Sequence, residues 1–76
     1  MQRKKVAIPS PRIDNRQAFM NFLTSNGMTT FGATQMMFTN IAALGDYKSF
    51  HDVIEEGDWD TVWRVAVMFL NGDFDA

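Results

Sequence analysis

Residues that start and end helices recur at short intervals along this chain. Asp and Thr side chains accept hydrogen bonds from the first N–H groups of a helix, and glycine adopts the left-handed conformation that often ends one. The starting residues are Asp14, Thr29 or Thr30, Asp46 and Asp58, and the ending glycines are Gly27, Gly45, Gly57 and Gly72. This pattern predicts an all-α fold, a compact bundle of about four short helices spanning roughly residues 15–25, 31–44, 47–56 and 59–71.

The last of these segments has the clearest helical spacing of apolar residues. Its other side carries Val65, Val67 and Met68, and a helix that is apolar nearly all round is usually buried, so we predict that this helix is central. The run 62–70 is also rich in β-branched and aromatic residues and could form a buried strand, although its length and its two caps favour a helix. A chain of this length allows one hydrophobic core. We expect that core to be held by Trp59, Trp63, Phe69 and Leu70.

Residues 1–13 precede the first helix start and are predicted to form an extended basic arm. Pro9 and Pro11 fix the backbone φ angle and remove two N–H donors, which disfavours a helix there. We divide the chain into this arm, a single helical domain over 14–72 and an acidic tail over 73–76. The arm lacks the apolar run of a secretory signal, no segment has the roughly 20 apolar residues that cross a bilayer, and cysteine is absent. These features predict a cytoplasmic protein without a membrane partner.

The charged residues are divided unevenly along the chain. Residues 1–16 carry five basic residues and one acid, residues 17–45 carry no charge, and residues 46–76 carry eight acids and two basic residues. The acidic part could imitate the phosphates of a nucleic acid, or its carboxylates could be solvated on ordinary helix faces. The uncharged middle part is the least usual feature, because a solvated helix normally carries charges on its outer face.

Residue types that carry catalytic or metal-binding chemistry are few and unfavourably placed. His51 is the only histidine and lies four residues before Glu55, which gives two metal ligands where catalytic zinc needs about three. Cysteine is absent, the serines lie outside any nucleophile motif, and the glycines do not form a phosphate-binding loop. We therefore predict no enzymatic activity, no metal and no cofactor.

The composition of the uncharged middle part is typical of the core of a protein–protein interface, which is poor in charge and rich in methionine and aromatic residues. We predict a small protein-binding module whose first two helices supply the contacts. The candidate contact residues are Phe19, Met20, Phe22, Met36, Met37 and Phe38. The partner is either a second copy of the chain, as a homodimer, or a larger protein of unknown identity. Such a protein would be an accessory or inhibitory protein that occludes or bridges its target, as small proteins of phages and mobile elements often do.

Nucleic-acid binding is the alternative function. Three or four short helices suit a helix-turn-helix regulator, whose affinity would come from phosphate contacts made by the basic arm. The candidate residues are Arg3, Lys4, Lys5 and Arg12 for phosphates, and Gln35 and Asn40 for base edges. The acids of the last part oppose this function, because they repel phosphates.

Overall fold

A computed structural model describes residues 5–72, which contain four α-helices and one short 3-10 turn joined by irregular segments. The elements are α1 (Arg16–Ser25), α2 (Thr30–Met37), the 3-10 turn (Ala42–Leu44), α3 (Phe50–Glu55) and α4 (Trp59–Leu70). Residues 5–72 contain no strand, so the all-α prediction is confirmed and the run 62–70 is helical. None of these helices has the length and apolarity needed to cross a bilayer. The predicted acidic tail lies outside the described residues, as do Arg3 and Lys4.

α1 begins one residue later than predicted, because Asn15 rather than Asp14 is its cap. The Asn15 Oδ1 atom accepts a hydrogen bond from the N–H group of Ala18 at 2.7 Å. The Asp14 carboxylate is directed to α4 instead, where its Oδ1 atom accepts the indole N–H of Trp63 at 3.0 Å. Trp63 is buried, so this bond satisfies a polar group that would be costly to leave without a partner.

α2 ends at Met37, well before the predicted end at residue 44. The hydroxyl of Thr39 donates to the carbonyl oxygen of Gln35 at 2.7 Å, and the residues at 39–41 are Thr, Asn and Ile, all of them weaker helix formers than Ala or Leu. The chain turns here and forms the separate 3-10 turn. Leu44 therefore reaches the core from that turn and not from a longer second helix.

α3 is shorter than the predicted 47–56, because Ser49 rather than Asp46 caps it. The Ser49 side chain accepts the N–H of Asp52, and the Asp52 carboxylate accepts the N–H of Ser49 at 2.9 Å, which forms a capping box. Tyr47 lies in the preceding turn with a φ of 60°. Its side chain is 88% exposed and takes no part in the buried face of the helix.

α4 is the central helix, as predicted, and Asp58 caps it by accepting the N–H of Thr61. Its buried residues are Val62, Trp63, Val65 and Ala66. Trp59 and Leu70 are partly buried against the core, in agreement with their predicted role. The prediction for Phe69 was wrong: the ring is 45% exposed, because the buried side of α4 is formed by Val62, Trp63, Val65 and Ala66.

The core is an aromatic cluster that joins α1, α3 and α4. The ring of Phe19 packs edge-on against Trp63 with centroids 5.2 Å apart, and it lies 5.2 Å from the ring of Phe50. Phe22 also packs edge-on against Trp63, at 5.1 Å. Such edge-to-face pairs stabilise a core beyond the area they bury. α2 adds its inner side to this core through Ala33, Met36 and Met37.

The described part of the arm, residues 5–13, contacts the helical domain through Val6 and through Arg12. The N–H of Val6 donates to the Asn71 Oδ1 atom at 2.7 Å, and the Asn71 side-chain amide donates back to the Val6 carbonyl at 2.9 Å. At the other end, the Arg12 guanidinium pairs with the carboxylates of Asp14 and Asp60. The arm is therefore attached to α4 and its C-terminal cap.

Candidate protein-binding face

The outer side of α2 presents two exposed phenylalanines. Phe31 is 73% exposed and Phe38 is 61% exposed. They are seven residues apart, about two helical turns, so they lie on the same side of α2 and its cap. Thr34 and Gln35 lie between them and are exposed as well. We call this uncharged surface of four residues the α2 face.

A cleft lies beside the α2 face, between α2 and α1. Its lining residues are Arg16, Met20, Thr34, Met37 and Phe38, and the surface they offer is almost wholly apolar. Pockets of this kind take up an apolar side chain and use a few polar groups at the rim to orient it. We call it the α1–α2 cleft.

His51 supports Phe38 from the α3 side. The two ring centroids are 5.1 Å apart. The Arg16 Nη1 atom lies 3.1 Å from His51 Nδ1, and Nη2 donates to Glu55 at 2.9 Å. A guanidinium only donates, so His51 Nδ1 is the acceptor in this contact. His51 and Glu55 thus orient Arg16 and Phe38, and residues 5–72 contain no group of three or more His, Cys, Asp or Glu that could hold a metal.

Three of the six predicted contact residues belong to the core. Phe19 is fully buried, and Met36 and Met37 are buried as well. They cannot form an outer contact surface in this fold, because they lie on the inner sides of α1 and α2. Met37 retains an edge that lines the α1–α2 cleft.

The other three predicted residues lie nearer the surface. Met20 is half-buried and lines the cleft, Phe38 is exposed beside it, and Phe22 is half-buried against Trp63. Phe31 was not among the predicted residues, although it is the more exposed of the two aromatic residues on the α2 face. Its position seven residues before Phe38 is the sequence signal that identifies it.

Of the residues predicted for nucleic-acid binding, Lys5, Arg12, Gln35 and Asn40 lie in the described part of the chain, and these four do not form one basic surface. The side-chain hydrogen bond to Asp14, followed by the one to Asp60, raises the pKa of Arg12. The same two carboxylates form ion pairs with the guanidinium and so weaken its attraction for a phosphate. Lys5 is exposed at the start of the described residues. Gln35 lies on α2 and Asn40 in the turn that follows it, whereas the arm is bonded to α4 and its cap.

Most of the carboxylates after residue 45 have local structural roles. Asp58 caps α4 and Asp52 completes the capping box of α3. The pKa of each is lowered, by the backbone N–H of Ser49 for Asp52 and by the Thr61 hydroxyl for Asp58. Three further acids are ion-paired in the described residues: Glu55 with Arg16, Glu56 with Lys48, and Asp60 with Arg12. This arrangement favours ordinary helix faces over an imitation of nucleic-acid phosphates.

Comparisons with protein-family models, with curated proteins and with solved structures found no match for this chain. The function proposed below therefore depends on the geometry of the chain itself.

Proposed function

We propose that this protein is a non-enzymatic protein–protein interaction module whose contact surface is the α2 face together with the α1–α2 cleft. The observation that supports this best is the exposure of Phe31 and Phe38 on one side of a helix whose other side is packed into the core. Aromatic residues held at a surface by a packed helix are typical anchors of protein interfaces.

Burial of the two rings by a partner provides a substantial part of a binding free energy. A fully buried phenylalanine contributes about 1.5–3 kcal/mol. Phe31 is 73% exposed and Phe38 is 61% exposed, and a partner can cover these fractions of their surface. Together they contribute roughly 2–4 kcal/mol.

The face needs little rearrangement before it binds. Phe38 already packs on His51, and the backbone of α2 is already helical, so few groups have to be ordered on association. Thr34 and Gln35 carry no charge, which avoids the cost of removing a charge from water. The one charged group at the cleft, Arg16, is paired with Glu55.

The proposed partner is a larger protein that this chain occludes or bridges. A standard interface buries roughly 800 Å² on each side, more than one short helix offers, so α1 residues beside the cleft take part as well. Small size and an absence of cysteine suit an accessory or inhibitory protein of the kind that phages and mobile elements encode, acting in the cytoplasm.

Affinity capture from the source cells tests this function. The tagged wild-type chain is compared with a Phe31→Ser, Phe38→Ser double variant, and captured proteins are quantified by mass spectrometry. Tyr47→Ser is the matched control, because it removes an aromatic side chain that is 88% exposed but lies outside α2. Circular dichroism confirms that the variants are folded.

We expect the double variant to lose at least tenfold of the specifically captured protein, and we expect the Tyr47 control to keep it. Equal capture by all three chains, or loss with Tyr47→Ser alone, would place the contact surface elsewhere.

A further inference from the structure

The α2 face is complementary to itself. It presents a protruding ring, Phe31, near the start of α2, and a cleft beside Phe38 at the end of the same helix. We infer that two copies of this chain associate through their α2 faces, with Phe31 of each copy entering the α1–α2 cleft of the other. This inference uses the same surface as the proposed function and names a second occupant for it.

A two-fold axis that crosses α2 between Thr34 and Gln35 produces this arrangement. The two α2 helices then run antiparallel, and position 31 of one copy lies opposite position 38 of the other, because both are equally far from the axis. The separation along the helix is about 10 Å, from seven residues at 1.5 Å each. Each ring therefore arrives at the end of the helix where the cleft opens. Contacts of this kind occur twice in a symmetric dimer, which is how an isologous interface is built.

The absence of charge on the α2 face permits self-association there. A charged surface repels its own copy, whereas Phe31, Thr34, Gln35 and Phe38 carry no charge. Gln35 lies next to the proposed axis, so the two copies of its side chain face each other. Arg16 at the cleft is compensated by Glu55 within its own chain.

The area available predicts a weak dimer. The exposed fractions of Phe31 and Phe38 correspond to roughly 200–330 Å² per copy, because a phenylalanine buries about 150–250 Å². With the cleft and the two polar residues the total is roughly 400 Å² per copy, about half of a standard interface. A contact of this size is typical of weak, transient complexes, so we expect association only at high micromolar concentrations and above.

Self-association has a consequence for the proposed partner. At high local concentration a second copy covers Phe31 and Phe38, so a larger protein has to displace it before it binds. At low concentration the chain is monomeric and the face is open.

Sedimentation equilibrium of the full chain tests the dimer directly. Between about 10 µM and 1 mM we expect the average mass to rise above the monomer value of 8.7 kDa. Phe31→Ser and Phe38→Ser should each weaken association at least tenfold, while Tyr47→Ser leaves it unchanged. A wild-type chain that stays monomeric over this range, or a Phe31→Ser variant that dimerises as well as the wild type, would overturn the inference.

A charge-reversal pair at Gln35 tests the position of the axis. Gln35→Lys and Gln35→Glu should each be monomeric alone, because two like charges meet at the axis, and an equimolar mixture should recover the dimer. Dimerisation of either single variant at wild-type strength, or a mixture that remains monomeric, contradicts the antiparallel arrangement.

These measurements distinguish failure of the dimer from failure of the proposed function. Capture of a larger protein is measured with the tagged chain well below the dimer dissociation constant, where self-association is negligible. A strictly monomeric chain that still loses its partner with the Phe31 and Phe38 substitutions refutes the dimer alone. A dimer that forms as described, with partner capture unaffected by those substitutions, refutes the function alone.

Discussion

Phe19 and Phe31 are the same residue type in the same uncharged part of the sequence, yet the structure predicts a large loss of stability on replacing Phe19 and almost none on replacing Phe31. Phe19 is 0% exposed and its ring lies within 5.2 Å of the rings of Phe50 and Trp63. Phe31 is 73% exposed. Replacing each in turn therefore separates core residues from contact residues.

The expected magnitudes follow from burial. Phe19→Ala should cost about 3–5 kcal/mol, the usual range for a buried phenylalanine. A domain of this size has a stability of only about 3–5 kcal/mol, so we expect this variant to be largely unfolded. Phe19→Leu keeps part of the volume but loses the ring contacts, and should cost about 1–2 kcal/mol. Phe31→Leu and Phe31→Ala should stay within about 0.5 kcal/mol of the wild type.

Urea unfolding followed by the fluorescence of Trp59 and Trp63 measures these differences, because both indoles lie in or against the core. The Phe19→Leu variant provides a result even if Phe19→Ala does not fold. Equal unfolding midpoints for Phe19→Leu and Phe31→Leu, at equal slopes, would refute the assignment of Phe19 to the core. A loss of partner capture in folded Phe19→Leu would also contradict its buried role.

Three further predictions concern the caps and the arm. Ser49→Ala removes the capping box of α3 and should lower stability by about 1 kcal/mol in urea unfolding, and an unchanged midpoint would contradict the role of the box. The pKa values of Asp52 and Asp58 are lowered from the ordinary value of 3.8, so the stability they contribute is complete above about pH 4 and is lost as the pH falls through the folded-state values. The melting temperature should therefore fall as the pH is lowered from about 4 to about 2, and Asp52→Asn should reduce that fall relative to the wild type. Asn71→Ala removes both hydrogen bonds to the arm, so trypsin should cleave after Arg12 faster than in the wild type, and an unchanged rate would show that the arm is held by other contacts.

The parts of the fold that local signals determine were predictable from the sequence. Asp58 caps α4 and Gly72 follows its end, as their residue types predict. The end of α2 was harder to predict, because apolar residues continue at helical spacing to Leu44. The helix nevertheless ends at Met37, next to the Thr39 hydroxyl that donates to the Gln35 carbonyl oxygen. The start of α3 was missed because Ser49 and Asp46 are both acceptable caps by type.

The candidate site depends on tertiary packing, and this is why only part of it was predicted. Composition marks the uncharged middle part as apolar, but it does not tell which phenylalanine turns inward. Phe19 is buried because its ring packs against Phe50 and Trp63, two residues that are distant in sequence. Phe31 is left outside, because the opposite side of α2 already supplies the contacts to the core.

The ion pairs were not predictable from the sequence either, because they also depend on tertiary packing. Arg12 and Asp60 are separated by 48 positions, and their ion pair depends on how the arm lies along α4. The pair between Arg16 and Glu55 likewise joins α1 to α3. A count of charges along the chain could not show that these groups neutralise each other.

Site-specific photo-crosslinking in the source cells tests the central claim, that the α2 face is the contact surface, most directly. A photoreactive amino acid replaces Gln35 on the α2 face in one variant and the exposed Arg64 on α4 in the other, both expressed at a low level that leaves the chain monomeric. We predict a discrete covalent adduct with a larger protein from position 35 and none from position 64. Adducts from position 64 alone, or equal adducts from both positions, would contradict the claim.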